Sequence, residues 1–335
     1  MKRSKIVGVG HYVPENIVTN EDLAKRINTT DEWITERTGI KERRFFTLGK
    51  DTVANMGVRA TQMALDRAGL TAKDIDFIVF ATITPDYYFP GSGVLLQREL
   101  SLETIGALDI RVQCSAFVYG LSVADQFIRT GMYKTILVVG AEIQSSAMDV
   151  SDDGRAMAVI FGDGAGAAIL QATDEPNKGI LSTHLHADGR FAEELIVKAP
   201  GSSLPNRRYS DVQKATDISD SNPYMNGNAV FKHAVTRFPE VIKEALDANG
   251  YDKESIDLLI PHQANVRITN YVREQLGLSE DKVVSNIHKY GNTTAASIPI
   301  AMSEAWAEGR IKENDLICLA AFGSGFTWAS ALIRW

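Results

Sequence analysis

The stretch ALDRAGLTAKDID at residues 64–76 recurs as ALDANGYDKESID at residues 245–257. Ala, Leu, Asp, Gly, Ile and Asp repeat at a constant offset of 181 residues, from 64 to 245. Each copy has the pattern of a helix end, a glycine, an acidic turn and a buried strand, followed by FIVFAT in the first copy and LLIPHQ in the second. Because self-similarity along a chain indicates a unit that was built twice, the sequence predicts two similar halves.

The rest of the chain alternates short β-branched runs with amphipathic stretches. The predicted strands, which read as buried on both faces, are 77–82, 135–140, 256–260 and 316–320. The predicted helices are 53–68, 115–130, 231–248 and 295–308. Such alternation is typical of an α/β fold with largely parallel central sheets. The polar, aperiodic segment 202–227 reads as a long surface excursion.

Composition excludes several classes of protein. With 335 residues, 44% of them hydrophobic, the chain is long enough for one large or two ordinary domains. A net charge of −7 argues against a general nucleic-acid binder. No apolar run approaches the roughly 20 residues that span a bilayer, so no membrane insertion is expected. The start, MKRSKIVGVGHYVPEN, lacks the apolar core of a signal peptide, and the cytoplasm is the expected compartment.

Two cysteines, Cys114 and Cys318, are too few for a disulfide framework or a structural zinc site. A second offset of 178 carries Gly131 onto Gly309 and Cys114 onto Asn292. This offset predicts that Cys114 and Asn292 occupy equivalent elbows, each opening a helix. If the halves pack about a pseudo-twofold axis, these two residues and His262 at a strand end converge at one place.

Each of these residues has a chemical and a structural interpretation. The N-terminus of a helix favours thiolate at Cys114, whereas a free cysteine is more often a small buried apolar residue. His262 follows the apolar run LLIP, where α/β sheets place ligands, but a core histidine fits the same pattern. Asn292 lies in a turn of small residues, and an ordinary turn asparagine without a catalytic role fits this position equally well. The glycine-rich turn FGSGF at 322–326 can supply backbone N–H donors to an oxyanion.

Several collinear motifs resemble the β-ketoacyl-acyl-carrier-protein synthase III family of the thiolase superfamily. They are DEWITERTGI (31–40), IFGDGAGAA (160–168), STHLHADG (182–189), PHQAN (261–265), GNTTAASIP (291–299) and AFGSGFTW (321–328). The resemblance implies a duplicated, five-layered αβαβα thiolase-like fold with two central mixed sheets, acting as a homodimer. Residues 1–175 then form the half with the nucleophilic cysteine, and residues 176–335 the half with the histidine and asparagine.

The resemblance also implies an activity. A triad of Cys114, His262 and Asn292 takes an acyl group from acyl-CoA onto the cysteine and condenses it, with loss of CO2, with malonyl-acyl-carrier-protein. This reaction initiates fatty-acid synthesis. The backbone N–H groups of Cys114 and Ser324 are expected to bind the oxyanion, and no metal or redox cofactor is expected.

Further residues are carried over from the family, and for each of them an ordinary surface or core role is the alternative. Those expected to contact CoA and its pantetheine arm are Trp33, Arg37, Arg155 and Asn265. Those expected at the acyl pocket are Phe322 and Phe89, the latter reaching into the partner subunit. Those expected to dock the carrier protein are Lys232, Arg267 and Arg273.

Departures from the family pattern keep alternatives open. The nucleophile lies in Gln-Cys-Ser-Ala-Phe at 113–117 where the family often has Ala-Cys-Ala-Gly-Phe, and Ser324 stands where glycine is common. A ketosynthase of secondary metabolism with a longer or unusual starter, or a non-condensing acyltransferase, is therefore an alternative. The chain lacks the local signature of a papain-type hydrolase. It also lacks the second reactive cysteine of a biosynthetic thiolase, since Ala321 occupies that place at the glycine-rich turn. A non-catalytic acyl-CoA-binding protein is the remaining class.

Overall fold

The computed structural model describes residues 2–202 and 221–335 of the chain. The strands are β1 (Arg3–Tyr12), β2 (Asn16–Thr19), β3 (Glu42–Phe45), β4 (Phe77–Ala81), β5 (Gly106–Ile110), β6 (Thr135–Glu142), β7 (Gly164–Thr173), β8 (Gly179–Ala187), β9 (Leu195–Ile196), β10 (Tyr224–Met225), β11 (Leu258–Pro261), β12 (Leu316–Gly323) and β13 (Thr327–Arg334). The helices are α1 (Asn20–Ala24), α2 (Asp31–Thr38), α3 (Val53–Ala68), α4 (Ser92–Glu99), α5 (Ala116–Arg129), α6 (Arg155–Ala158), α7 (Gly227–Asp247), α8 (Val266–Leu276), α9 (Ile287–Tyr290) and α10 (Ser297–Ala307). Within these ranges, no helix is both long and apolar enough to cross a membrane.

Two mixed sheets form the framework. The first has the order β1-β7-β6-β4-β5 and the second β11-β12-β13-β8. Only β4 with β5, β4 with β6, and β11 with β12 are parallel pairs in these two sheets; the other neighbours are antiparallel. The expectation of largely parallel sheets was therefore wrong. In the second sheet the reason is the short turn between Gly323 and Thr327, because a parallel connection needs a crossover of a dozen residues or more.

The layers follow from the alternation of side chains along the buried strands. Val79 of β4 and Leu319 of β12 point inward onto Phe117 of α5 and Met302 of α10, which lie between the sheets. Ile78, the neighbour of Val79, points to the opposite face and packs beneath α3 and α4. Helices α7 and α8 cover the outer face of the second sheet. The fold is thus the expected five-layered αβαβα arrangement.

The repeat appears in the structure at the predicted offset of 181. Strands β4 and β11 begin at Phe77 and Leu258, and β6 and β12 begin at Thr135 and Leu316. The elbows before α5 and α10 keep this offset, and each contains a residue of positive φ, Gln113 at 47° and Thr294 at 49°.

The predicted equivalence of Cys114 and Asn292 was therefore wrong, because the elbow position that matches Cys114 is Ala295. The offset falls to 178 only at the far ends of the two helices. The cause is their length: α10 has 11 residues, whereas α5 has 14. Asn292 instead lies three positions before the matching elbow residue, in the stretch that leads into it.

Most predicted element bounds differ from the structure by only a few residues. Helix α3 covers the predicted 53–68, whereas α7 begins at Gly227, four residues earlier than predicted. The side chain of Asn226 accepts a hydrogen bond from the Ala229 N–H and so starts α7 within the segment expected as an excursion. In that segment, 203–220 lie outside the described residues, and β10 pairs with β9.

Candidate active site

One cavity of about 160 Å³ brings the predicted catalytic residues together at the ends of several elements. Its lining includes Cys114, His262 and Asn292, together with Asn265 and Phe322. A loop, a strand end and a turn from both halves of the chain meet here. The convergence that the repeat suggested is therefore present, although Cys114 and Asn292 are not repeat equivalents.

Cys114 lies in the short 3-10 turn Gln113–Ser115 that leads into α5. The left-handed backbone of Gln113 is an uncommon conformation for a residue with a side chain, and it sharpens the turn. The buried hydroxyl of Ser115 donates to the Thr327 carbonyl at 3.1 Å and ties this elbow to the start of β13. Cys114 is thus held between the two halves of the chain.

The glycine-rich turn after β12 packs directly on the nucleophile. A Cβ atom at Gly323 would lie 2.7 Å from Cβ and 3.1 Å from Sγ of Cys114, so only glycine fits there. The backbone N–H groups of Cys114 and Ser324 lie close to the sulfur and lower the pKa of the thiol. Two N–H donors that converge beside a nucleophile are the arrangement of an oxyanion hole.

The resting state of Cys114 differs from the expectation. Burial, with a smaller contribution from the Glu142 carboxylate, raises the pKa of the Cys114 thiol to about 12, in spite of the two N–H donors. A helix dipole contributes at most about 2 kcal/mol, or about 1.5 pKa units, whereas full burial shifts a pKa by up to about 3–5 units. The prediction of a thiolate at Cys114 was therefore wrong, because its surroundings favour the thiol.

His262 follows β11, and its backbone N–H donates to the Ala320 carbonyl at 2.8 Å. The ring is 2% exposed, and burial lowers its pKa to about 3, so the imidazole is neutral. Its Nδ1 lies 2.6 Å from the Ser297 Oγ. Its Nε2 is buried and has no hydrogen-bond partner in the part of the chain that the structure describes. Nε2 is therefore the ring atom available to a bound substrate.

Asn292 is clamped by the N-terminal half. Its N–H donates to the Ile160 carbonyl at 2.9 Å, and its own carbonyl accepts from the Gly162 N–H at 3.1 Å. The segments around Gly162 and Tyr290 approach so closely that a Cβ atom at Gly162 would lie 2.2 Å from the Tyr290 carbonyl oxygen. The side-chain Oδ1 accepts from the Thr294 N–H at 2.9 Å. This bond orients the amide and leaves Nδ2 as the group that can donate to a ligand.

Two residues of the site were missed by the sequence analysis. Ser297 holds the His262 ring, and the buried Glu142 carboxylate accepts from the Ile83 N–H at 3.2 Å and the Thr84 hydroxyl at 2.6 Å. Burial raises the pKa of Glu142 to about 7. The sequence signal for Glu142 was its position as a carboxylate at the end of the otherwise apolar run TILVVGAE. A hydroxyl at the start of the apolar helix α10 was the signal for Ser297.

The residues expected to bind CoA form a separate cluster. Trp33 stacks with the Arg37 guanidinium at 4.6 Å and with the Arg155 guanidinium at 5.3 Å, measured to the ring centroid. Asn265 lines the cavity, but its side chain also caps α8 through the Arg267 N–H and donates to the Arg37 carbonyl at 2.9 Å. Asn265 thus joins the cavity to the Trp33 cluster.

The remaining predicted residues lie around the cavity or away from it. Phe322 is buried in its wall, whereas Phe89 is 80% exposed and is not among the lining residues. Lys232 is exposed and follows the lining residue Phe231; Arg267 is exposed at the start of α8 and donates from Nε to the Glu36 carbonyl. Arg273 is half-buried near the end of the same helix. At 1.5 Å per residue, Arg267 and Arg273 are about 9 Å apart along the helix axis.

No group of three or more His, Cys, Asp or Glu side chains within residues 2–202 and 221–335 is arranged to hold a metal ion. Both cysteines are free thiols, and Cys318 is fully buried in β12. Within the described residues, this arrangement supports acyl chemistry: a thiol with two backbone N–H groups close to its sulfur, an imidazole nitrogen without a partner and an amide N–H2 that can donate.

Comparison with known proteins agrees with this chemistry. The family model described as 3-oxoacyl-[acyl-carrier-protein (ACP)] synthase III matches residues 108–189, and the model of its C-terminal part matches residues 246–335. The chain is 45% identical over 331 residues to β-ketoacyl-[acyl-carrier-protein] synthase III 1 of Vibrio vulnificus, with 99% of each chain covered. It is 46% identical over 334 residues to β-ketoacyl-[acyl-carrier-protein] synthase III of Thioalkalivibrio sulfidiphilus, with 100% of each covered.

Comparison of the fold with solved structures indicates the same family. The crystal structure of 3-oxoacyl-[acyl-carrier-protein] synthase III from Aquifex aeolicus superposes with a TM-score of 0.90 at 42% identity, covering 99% of this chain and 100% of the other. These matches span both halves and include the stretches that carry the cysteine, the histidine and the asparagine. The chain belongs to the 3-oxoacyl-[acyl-carrier-protein] synthase III family and is a condensing enzyme of the acyltransferase class.

Proposed function

We propose that the protein condenses an acyl-CoA starter with malonyl-acyl-carrier-protein through an acyl-cysteine on Cys114. The observation that carries this proposal is the convergence of Cys114, His262 and Asn292 in one cavity, with two backbone N–H groups close to the sulfur. At about 45% identity to relatives named as β-ketoacyl-[acyl-carrier-protein] synthases III, the alternative of a specialised secondary-metabolism enzyme is not favoured. Residues 1–175 contribute the nucleophile, and residues 176–335 contribute the histidine and asparagine.

The first half-reaction is acyl transfer. The Cys114 sulfur forms a bond to the thioester carbonyl carbon, the carbon–sulfur bond to CoA breaks, and the thiol proton leaves on CoA by way of His262 Nε2. The N–H groups of Cys114 and Ser324 stabilise the oxyanion between these events. Nε2 accepts a proton here because the Ser297 hydroxyl beside Nδ1 is able to accept a hydrogen bond from the ring.

The second half-reaction is decarboxylative. In this step the His262 ring is in its other tautomer, in which Nδ1 accepts from the Ser297 hydroxyl and Nε2 carries the proton. The malonyl thioester carbonyl accepts hydrogen bonds from His262 Nε2–H and Asn292 Nδ2–H, and the bond to the carboxylate breaks to release CO2. The electron pair passes to the enolate, whose carbon attacks the acyl-cysteine carbonyl; the carbon–sulfur bond then breaks, and the sulfur takes up a proton from water. No electron is gained or lost overall, so the proposed reaction needs no redox cofactor.

The two thioesters enter by the same route in this proposal. The CoA adenine displaces Arg155 from the face of Trp33 and lies between them, and Arg37 binds the phosphates. The pantetheine arm passes Asn265 and delivers the acyl chain to the wall that contains Phe322. The carrier protein, as an acidic partner, docks on Lys232, Arg267 and Arg273.

We further propose that the enzyme is a homodimer. In the described part of the chain, strand β5 is an edge strand of the first sheet, and Leu108 on it is 37% exposed. The nearby loop exposes three consecutive aromatic side chains, Tyr87, Tyr88 and Phe89, which is an unusual apolar surface for a monomer. In the dimer Phe89 reaches into the acyl pocket of the partner subunit. Two free thiols suit the reducing cytoplasm, where we place the enzyme.

The test is a reconstitution of the full reaction. The purified protein is incubated with acetyl-CoA and malonyl-acyl-carrier-protein, and the carrier is analysed by intact mass while CO2 is measured in parallel. Equal amounts of acetoacetyl-carrier protein and CO2 are expected, and none with Cys114→Ala. Acetyl-carrier protein formed without CO2 identifies a non-condensing acyltransferase instead and overturns the proposal.

A further inference from the structure

Ser324 is held by two hydrogen bonds, one of which its role as a backbone donor does not require. Its N–H lies close to the Cys114 sulfur, and its carbonyl accepts from the Thr327 hydroxyl at 3.1 Å. Its own hydroxyl donates to the carbonyl of Leu195 at 2.5 Å. A backbone N–H serves an oxyanion equally well from glycine, so the hydroxyl has a separate effect.

The partner of that hydroxyl is part of the acyl cavity. Leu195 lies in β9 and pairs with Met225 of β10, and both residues line the cavity. The β9-β10 ribbon has only two residue pairs. An isolated two-stranded ribbon is marginally stable, so its position depends on bonds to the rest of the fold such as the one from Ser324.

The cavity sets a size limit. Its volume is about 160 Å³, and the reacting thioester beside Cys114, His262 and Asn292 shares this space with the acyl chain. A short acyl chain fits beside Leu195 and Met225 without moving them. A longer chain that extends towards these two residues displaces the ribbon, and the Leu195 carbonyl moves with it.

We propose that Ser324 is a specificity-determining positioning residue: its hydroxyl couples the length of the acyl chain to the alignment of the oxyanion N–H. A short chain leaves the ribbon in place, and the N–H stays directed at the reacting carbon. A long chain draws Leu195 and the Ser324 hydroxyl away, and the same N–H turns from the oxyanion. Discrimination then occurs in the rate of acylation rather than in binding. This inference rests on the proposed function.

The test compares Ser324→Ala and Ser324→Thr with wild type in single-turnover acylation of Cys114, followed by intact mass, using acetyl-, butyryl- and octanoyl-CoA. The alanine variant keeps the N–H and loses the hydroxyl, whereas threonine keeps both. One hydrogen bond corresponds to about 2- to 12-fold in rate. Ser330→Ala is the matched control, because its hydroxyl donates to the Val241 carbonyl on α7, away from the cavity.

We expect Ser324→Ala to acylate about 2- to 12-fold more slowly with acetyl-CoA, at an unchanged half-saturating concentration. The ratio of acetyl to octanoyl rates is expected to fall by a similar factor, and Ser324→Thr to restore it. An unchanged ratio in Ser324→Ala, or an equal change in Ser330→Ala, overturns the inference. If wild type accepts no acyl-CoA at all, the proposed function fails instead, and the two failures are thus distinguished.

Discussion

Replacement of Asn292 by aspartate tests whether this residue acts as a hydrogen-bond donor to substrate or only supports the local structure. Asn292 Oδ1 accepts from the Thr294 N–H at 2.9 Å, and an aspartate oxygen can keep that bond. What Asn292→Asp removes is the Nδ2–H donor proposed to bind the malonyl thioester oxygen. Loss of one oxyanion donor typically slows a reaction by about 10²–10³-fold, or about 2.7–4 kcal/mol. We expect a loss of at least this size in condensation, because the new carboxylate also faces the developing enolate.

Asn292→Ala serves as the comparison. It removes the same donor and also leaves the buried Thr294 N–H without its acceptor, which costs about 1–3 kcal/mol of folding stability. Both variants are therefore expected to condense slowly and to unfold at a lower urea concentration than wild type, because aspartate in turn places a carboxyl group at this buried position.

The assay measures the two half-reactions apart. Enzyme acylated by acetyl-CoA is isolated, mixed rapidly with malonyl-acyl-carrier-protein, and quenched for mass analysis; acylation is timed in a separate reaction. Acylation of Asn292→Asp is expected to stay within a few-fold of wild type. Condensation within 3-fold of wild type, or acylation that falls as steeply as condensation, would refute the proposed role of Nδ2.

Other predictions test the ring, the CoA cluster and the carrier surface. Because burial holds the pKa of His262 at about 3, below its unfolded value of about 6.5, the unfolded state binds the extra proton and stability falls as pH drops from 6.5 towards 3. From pH 7 to pH 4.5, the free energy of unfolding in urea is expected to fall by about 2–3 kcal/mol more for wild type than for His262→Gln; equal decreases would contradict this prediction. Trp33→Ala is expected to raise the KM for acetyl-CoA about 2- to 30-fold and to leave that for acetyl-N-acetylcysteamine, which lacks the adenine, unchanged; parallel changes would place Trp33 elsewhere. Charge reversal to glutamate at Lys232, Arg267 and Arg273 is expected to raise the KM for malonyl-acyl-carrier-protein at low salt, less so at high salt, and to spare acylation by acetyl-CoA; identical kinetics at both salt concentrations would exclude this docking surface.

The elements that local pattern controls were predictable from the sequence. Helix α3 has a Thr52 cap, an amphipathic face and Gly69 at its end, and its bounds were predicted correctly. The repeat located β4 and β11, because its matching stretches at 64–76 and 245–257 end directly before these two strands. The direction of neighbouring strands was not predictable from these runs, since an apolar run reads the same in either direction.

The chemistry of the site depends on contacts between residues far apart in the chain. The helix start at Cys114 suggested a thiolate, yet burial by both halves and the nearby Glu142 outweigh the dipole. The elbow comparison paired Cys114 with Asn292, because the helix-end glycines were used as the reference and α10 is three residues shorter than α5. Ser297 and Leu195 act only through their contacts, with His262 and with Ser324, and those partners are distant in sequence.

The most direct test of the mechanism is the fate of an acyl group on Cys114. Wild-type enzyme is treated with acetyl-CoA, the modified residue is located by peptide mass, and the isolated acyl-enzyme is then mixed with malonyl-acyl-carrier-protein. We expect one acetyl group on the peptide that contains Cys114, none on that of Cys318, and its full transfer into acetoacetyl-carrier protein with one CO2 per acyl group. An acetyl group retained by Cys114→Ala, or an acyl-enzyme that malonyl-acyl-carrier-protein does not discharge, would contradict the acyl-cysteine mechanism.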